Sequence, residues 1–372
     1  MKAEQKQILF HASSTFGIGG AQVRFATLAN KHKSLFSHLL FAMDRNYDAI
    51  ELLDPKINFE IRNFSYDKGN IARNFVIFRR ALKELQPDLL ITYNWGAIEW
   101  ALANLGKTLP HIHIVDGFGP EEADRQLARR VNFRRLVFWR NTTVVVPSHT
   151  LFDIATRIWR ISPAKVVYIP NGIDCDRFTG ARDRALADRY GIDAESTVIG
   201  TVATLRPEKN LERLILAFRD LPRDTKLQLL IVGDGSKREA LESFAKEQGV
   251  SDRVIFPGYI SDPAAILSLF DIFAISSDTE QMPISILEAM ASGLPVAGVD
   301  VGDVRHMVSD ANKPYIVERD TDALSAILAK FVSEPSLRRS IGDENRRHVR
   351  EVYEEKTMVD AYARLFSRGM ES

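Results

Sequence analysis

Glu280 and Glu288 flank what the neighbouring residues mark as a helix start, and this pairing is the strongest chemical signal in the chain. An apolar run ends at Ser276, a loop follows, Pro283 stands where a helix would begin, and Gly293 closes that helix before a new run opens at Pro295. Glu280 is thereby placed on a loop at the carboxyl edge of a strand. Glu288 falls a little over one turn into the helix, and the free N–H groups near Ile284 and Ser285 lie between the two carboxylates. Such N–H groups favour anions. Carboxylates repel phosphate but accept hydrogen bonds from sugar diols, each charge-assisted bond contributing about 1.5–3 kcal/mol. A ligand with a diphosphate between two hydroxyl-bearing rings suits that order, with a ribose on Glu288 and a second sugar on Glu280. On spacing alone, a dipole partner and a surface glutamate would serve as well.

The elements that must position these residues are read from short apolar runs. They are Gln7–His11, His38–Met43, Asp88–Tyr93, His111–Val115, Thr143–Val146 and Val166–Ile169, then Val198–Val202, Leu227–Val232, Val254–Phe256, Ile272–Ile275 and Pro295–Val299. Unbroken runs rich in Val, Ile and Leu suit strands buried on both faces of a parallel sheet. Helical stretches such as Leu211–Arg219, Lys237–Gln248 and Ser285–Ser292 separate them, which argues for doubly wound α/β architecture. The alternation restarts after the turn Ile169-Pro-Asn-Gly-Ile-Asp174. Two domains are expected: 1–172 together with a final helix at about 353–372, and 173–352. A length of 372 residues suits two cores better than one.

The segment Ser277-Asp-Thr-Glu280-Gln-Met-Pro283 followed by Glu288-Ala-Met-Ala291, Gly293 and Pro295-Val296 resembles the E-x7-E segment of the family-four retaining glycosyltransferases. That family shows S-x-x-E-G-x-P…E-A-M-A-x-G-x-P-V; Gln281 replaces its usual glycine here. The resemblance implies the GT-B fold, two Rossmann-like domains facing a cleft, the second binding a nucleotide-sugar donor. It implies donor contacts from Glu280, Gln281, Met282, Pro283, Ile284, Ser285 and Glu288. Lys209, in Thr201-Val-Ala-Thr204-Leu-Arg206-Pro-Glu-Lys209, matches the family's phosphate-binding lysine, while Thr204 stands where an arginine is usual and Arg206 is the nearby substitute. Gly233 in Gly233-Asp-Gly235 resembles a donor loop, and Val254-Ile-Phe-Pro-Gly-Tyr259-Ile260 the lining of the base pocket.

In the first domain, Phe16-Gly-Ile-Gly19-Gly20-Ala21 resembles the family's G-G-A loop, which faces the donor diphosphate and the acceptor. A plain βα turn and a dinucleotide fingerprint ending at Asp44 compete with that reading. Asp116, in His111-Ile-His113-Ile-Val-Asp116-Gly117, stands where many members carry a histidine, with Glu121 and Glu122 on the same loop. It is expected either to accept a hydrogen bond from a sugar hydroxyl or to cap the next helix. His111 and His113 share one strand face as half-buried partners, without a third ligand spaced for a metal. Catalysis is assigned to Glu280, Asp116 and Lys209. The resemblance implies that no metal and no cofactor is needed, protein groups neutralising the departing diphosphate.

Arg125 to Arg140 interleaves six arginines with Leu127, Val131, Phe133, Leu136, Val137, Phe138 and Trp139. This reads as a peripheral contact with the inner membrane or as an amphipathic domain helix. Lys plus Arg equals Asp plus Glu at 49 each, so no global field holds nucleic acid. The single cysteine excludes an internal disulfide and fits a reduced, cytoplasmic setting. No secretory signal or spanning segment is read. The expected activity is transfer of a hexose-type sugar from an NDP-sugar to a glycan, lipid-linked or lipopolysaccharide-type acceptor. Rival readings are an epimerase or phosphorylase on the same architecture, or a non-catalytic sugar-nucleotide-binding protein.

Overall fold

A computed structural model describes residues 6–67, 69–106, 109–118, 122, 125–139, 141–223 and 226–371. The chain divides into two compact units, residues 1–170 with 358–372, and residues 171–357.

The first unit holds seven parallel strands: β1 Gln7–Ser13, β2 Phe36–Ala42, β3 Phe59–Ile61, β4 Leu89–Tyr93, β5 His111–Ile114, β6 Thr142–Val146 and β7 Val166–Tyr168. Their order is β3-β2-β1-β4-β5-β6-β7. Both faces are covered. Leu9 of β1 packs with Ile91, Tyr362 and Phe366, whereas its neighbour Phe10 packs on the opposite side with Phe78 and Trp100. This is why the strands read as unbroken apolar runs rather than alternating ones. The helix Glu355–Glu371 supplies Tyr362 and Phe366 to that core.

The second unit holds six parallel strands: β8 Thr197–Val202, β9 Leu227–Val232, β10 Val254–Gly258, β11 Ile272–Ile275, β12 Val296–Val299 and β13 Ile316–Val317. Their order is β10-β9-β8-β11-β12-β13. Ile199 and Leu229 face one apolar cluster, and Val198 and Leu230 face the other. Gly200 pairs with Phe273, and a Cβ at Gly200 would run into the ring of Phe270. β3 and β13, which periodicity did not predict, are the short outer strands of their sheets.

Each sheet reverses its winding once, between β1 and β4 and between β8 and β11. At such a switch point the loops leaving the two central strands diverge and open a crevice at the carboxyl edge. In the second unit those loops are the ones that carry Lys209 and Glu280.

Candidate functional site

Lys209 ends a short 3₁₀ turn, Pro207–Lys209, beyond β8. Glu280 lies on the loop beyond β11. Their side chains meet: Lys209 Nζ is 2.6 Å from Glu280 Oε1, and Ser277 Oγ donates to the same oxygen at 2.7 Å. The Glu280 side chain is 8% exposed and that of Lys209 22%, so the pair is largely withdrawn from solvent, where mutual neutralisation offsets the cost of desolvation. The charge of Lys209 is thus held at the crevice by a carboxylate that can also accept from hydroxyl groups.

The helix beyond this loop runs Ile284–Ala291, with Pro283 as its N-cap in extended conformation rather than as its first residue. Ile286 N–H donates to the Pro283 carbonyl at 3.1 Å. The N–H groups of Ile284 and Ser285 precede the first intrahelical bond, leaving donors directed out of the helix start. Met282 is buried, and its sulfur accepts from Asn171 N–H at 3.2 Å. Gln281 keeps its side-chain Oε1 buried without a hydrogen bond. The loop is wedged from behind by Gly302, whose φ is +56°: a Cβ there would strike the Glu280 carbonyl.

Glu288 sits in the second turn of that helix, half-buried. Among the described residues nothing hydrogen-bonds to its carboxyl group. Burial pushes its pKa up to about 7, opposed weakly by the charge of Arg177. A carboxyl group without a protein partner is open to a ligand's hydroxyl donors.

The loops beyond β8, β9 and β10 are laced together. Ala203 N–H donates to the Val232 carbonyl, Leu205 N–H to the Asp234 carbonyl and Gly233 N–H to the Gly258 carbonyl, each at 2.9 Å. Gly233 has φ +134°, and any side chain there would meet the Ala203 carbonyl. Thr204 and Arg206 are exposed beside Lys209, with Arg206 only loosely paired to Glu208 at 4.0 Å. Tyr259 presents its ring to solvent at 76% exposure, next to partly buried Ile260. The second unit therefore brings the candidates at 204–209, 233, 259–260 and 280–288 to one sheet edge.

In the first unit, Gly19 is the extended N-cap of the helix Gly20–Lys31. Neither glycine takes a left-handed conformation; what they provide is a helix start free of side chains. Asp116, read from sequence either as an acceptor for a sugar hydroxyl or as a cap on the next helix, is paired with an arginine. Arg24 Nη1 lies 2.6 Å from its Oδ1, and Asn94 Oδ1 accepts from Asp116 N–H at 2.8 Å. Burial is the largest influence and would depress the Arg24 pKa, but the charge and hydrogen bond of Asp116 together with Tyr362 and Tyr93 outweigh it, and the net shift is upward. Arg24 also lies over the Tyr362 ring at 5.6 Å. Sequence reading missed Arg24, because nothing in its helix signals a partner in the loop beyond β5.

His111 and His113 are fully buried, not half-buried. Thr92 Oγ1 bridges them at 2.8 and 2.7 Å, and Thr142 Oγ1 lies 2.8 Å from His111 Nδ1. Burial lowers both pKa values, that of His111 to about 3, so both rings are neutral. His11 and His38 form a second buried pair at 3.0 Å, also neutral.

The basic stretch from Arg125 turns partly inward. Its helix spans Ala128–Val137, and Arg134 and Arg130 turn inward. Arg134 reaches both carboxylate oxygens of buried Glu122 at 3.0 and 2.8 Å, and Arg130 adds a bond at 3.0 Å. The two guanidiniums hold the Glu122 pKa down against its burial. Arg134 also packs over Trp95, Phe118 and Trp159. Glu121 and Arg140 lie outside the described residues. Among the described residues no group of three or more candidate ligands is placed to hold a metal ion, and no helix is long and apolar enough to cross a membrane.

Residues 183–348 match the family described as glycosyl transferases group 1, and residues 18–177 match glycosyltransferase family 4. The chain belongs to the group 1 glycosyltransferases. An N-acetyl-alpha-D-glucosaminyl L-malate synthase of Bacillus anthracis is 26% identical over 63% of this chain and 62% of that protein. A UDP-Gal:alpha-D-GlcNAc-diphosphoundecaprenol alpha-1,3-galactosyltransferase of Escherichia coli is 25% identical over 74% of each. The match thus spans less than two thirds of the length of the B. anthracis relative. The crystal structure of Anabaena Alr3699/HepE in complex with UDP superposes with a TM-score of 0.82 at 20% identity, covering 97% of this chain and 100% of that one. This likeness establishes the GT-B fold of two Rossmann-like units.

Proposed function

We propose that this group 1 glycosyltransferase moves a hexose-type sugar from an NDP-sugar, with retention of anomeric configuration, to a glycan or to a lipid-linked or lipopolysaccharide-type acceptor. The observation that carries the reading is the joined Lys209–Glu280 pair beside the start of the helix Ile284–Ala291, with the Glu288 carboxyl group, which has no hydrogen-bond partner among the described residues, farther along it. Each part of a nucleotide sugar has a counterpart there. Glu288 accepts from the ribose diol. The N–H groups of Ile284 and Ser285 and the ammonium of Lys209 face the diphosphate. Glu280 accepts from hydroxyls of the transferred sugar and orients its ring.

As the bond between sugar and phosphate breaks, negative charge grows on the diphosphate. Lys209 and the fixed N–H dipoles meet that charge without reorganising, the usual origin of a large electrostatic contribution to rate. The ion pair with Glu280 holds Lys209 in place before the donor arrives. In this reading protein groups carry the neutralisation, with no metal assigned a step. Asp116, tied to Arg24, is given a structural part, and the Gly19–Gly20 helix start is kept as a further anion-facing element.

The acceptor reading draws on the E. coli relative, whose name specifies a diphosphoundecaprenol-linked substrate. For peripheral contact with an inner membrane, the outward part of the first-unit helix is the candidate surface. Leu136 and Trp139 are 54% and 69% exposed, Ile158 is 41% exposed, and Arg135 joins the two segments by donating to the Ile158 carbonyl at 2.7 Å. Exposed Arg125 and Arg129 supply positive charge in the same stretch of chain. Co-sedimentation with phosphatidylglycerol vesicles should be weakened by Trp139→Ser; equal binding of the variant would remove this surface from the account.

A thermal-shift screen of NDP-sugars tests the donor reading. A ligand bound only by the folded chain raises the melting temperature. Stabilisation of the wild type by one nucleotide sugar, lost in Glu288→Ala, is the expected result. Absence of any shift at millimolar donor would overturn it, whereas stabilisation without turnover on any acceptor would favour a binding protein.

A further inference from the structure

The loop that presents Glu280 is fastened to the loop that presents Lys209 by residues outside the donor contacts described above. Arg213 lies in the first turn of the helix Leu211–Arg219, and its side chain is 13% exposed. Its Nη1 donates to the Ser276 carbonyl at 2.7 Å, and its Nη2 to Asp278 Oδ1 at 2.7 Å. Asn210 Nδ2 donates to the other Asp278 oxygen at 2.9 Å. Two further bonds run between the same segments: Asp278 N–H to the Glu208 carbonyl at 2.9 Å and Ser276 Oγ to the Lys209 carbonyl at 3.2 Å.

Asn210 is held at φ +40°, a left-handed conformation that asparagine tolerates better than most residues. Its side chain also caps the following helix, accepting from Arg213 N–H at 3.2 Å. The strain and the cap place Asn210 and Arg213 so that both face Asp278. Arg213 suits the task because a planar fork can grip a carbonyl and a carboxylate together, which a lysine ammonium on a flexible stem cannot. None of these groups is needed to form β8 or β11. What they fix is the separation of the two loops, and hence the meeting of Lys209 with Glu280.

We propose that Arg213, acting through Asp278, is a positioning residue that sets where the Glu280 carboxylate stands relative to the transferred sugar. The proposal rests on the donor reading of Glu280. Glu280 is assigned to the sugar and not to the nucleotide. Loosening the clamp should therefore disturb recognition of the sugar while leaving recognition of the nucleoside diphosphate largely intact.

The test uses the full chain and whichever NDP-sugar stabilises the wild type, together with the matching nucleoside diphosphate. Dissociation constants of both are measured by calorimetry for the wild type, Arg213→Lys, Glu280→Gln and the double variant. In Arg213→Lys the constant for the nucleoside diphosphate should stay within about twofold. The ratio of the two constants should move by about tenfold against the sugar, the scale of one lost charge-assisted hydrogen bond. Glu280→Gln should shift the ratio similarly, and the double variant should be no worse than either single one, since both act at one group. Asp278→Asn, which keeps shape but gives up the charge, should reproduce the shift and serves if Arg213→Lys does not fold. Equal losses for both ligands in Arg213→Lys, or additive losses in the double variant, would overturn the proposal. If Glu280→Gln erases sugar recognition and neither clamp variant does, the clamp proposal alone falls. If Glu280→Gln leaves sugar recognition intact, the donor reading falls and takes the clamp with it.

Discussion

Replacing Glu288 with glutamine should stabilise the empty protein at alkaline pH while weakening its hold on the donor. The side chain is half-buried without a hydrogen-bond donor among the described residues, and burial raises its pKa from 4.5 to about 7. The native state therefore binds this proton more tightly than the unfolded chain does. Between those two values the native state carries more protons, so stability falls as pH rises. The Glu288 contribution is full below about pH 4.5 and is lost as pH climbs through about 7. Each unit is worth about 1.4 kcal/mol, giving a penalty of about 3 kcal/mol at pH 8. Glutamine keeps the shape and carries no charge to desolvate. Glu288→Gln should then match the wild type near pH 4.5 and exceed it at pH 8 by up to about 3 kcal/mol. For a unit of this size that corresponds to roughly 6–12 °C in melting temperature. Denaturant unfolding followed from pH 4.5 to 8 measures it directly. In parallel, donor affinity of the wild type should rise through pH 7 as the carboxylate forms, and the variant should show a weaker, flat profile. Parallel stability profiles for the two proteins would refute the reasoning, because Glu288 would then not be titrating in a desolvated site.

Three further substitutions probe other links. Arg134→Met should leave Glu122 buried with Arg130 and the Leu127 N–H as its partners among the described residues, destabilising the first unit by about 3–5 kcal/mol, as denaturant unfolding would show. Gly302→Ala should cost about 1–3 kcal/mol, because the residue is held at positive φ and its Cβ would displace the Glu280 carbonyl; donor affinity measured by calorimetry should fall with it. Asp116→Asn should lower the melting temperature by removing the carboxylate charge that stands 2.6 Å from the buried Arg24 guanidinium, while donor affinity stays close to that of the wild type.

Much of this architecture is written in the sequence as buried apolar runs, and the exceptions share a cause. β3 is Phe59-Glu60-Ile61 and β13 only Ile316-Val317, too short for periodicity to register and placed at sheet edges, where short strands are usual. The helices Leu211–Arg219 and Ile284–Ala291 were legible because caps and turn residues bracket them. The residues lining the crevice were legible as a string, since helix start, proline and both carboxylates lie close together along the chain. What stayed hidden is pairing between distant elements. Arg134 reads as one charge among many until Glu122, Trp95 and Trp159 fold around it. Asp116 reads as an acceptor or a helix cap until Arg24 arrives from the first helix, and nothing in the sequence singles out Arg213 as the partner of Asp278. No local pattern encodes which charge meets which.

The central claim is that Lys209 and Glu280 act together in the step that releases the nucleoside diphosphate, Lys209 on the phosphate and Glu280 on the sugar. Its most direct test is the rate of diphosphate release from the stabilising NDP-sugar, with a cell-envelope glycolipid extract as acceptor, in the wild type, Lys209→Ala and Glu280→Gln. The account predicts release by the wild type and a drop of about a hundredfold or more in each variant, the scale of losing one preorganised electrostatic contact. Release at wild-type rates from either variant would contradict it.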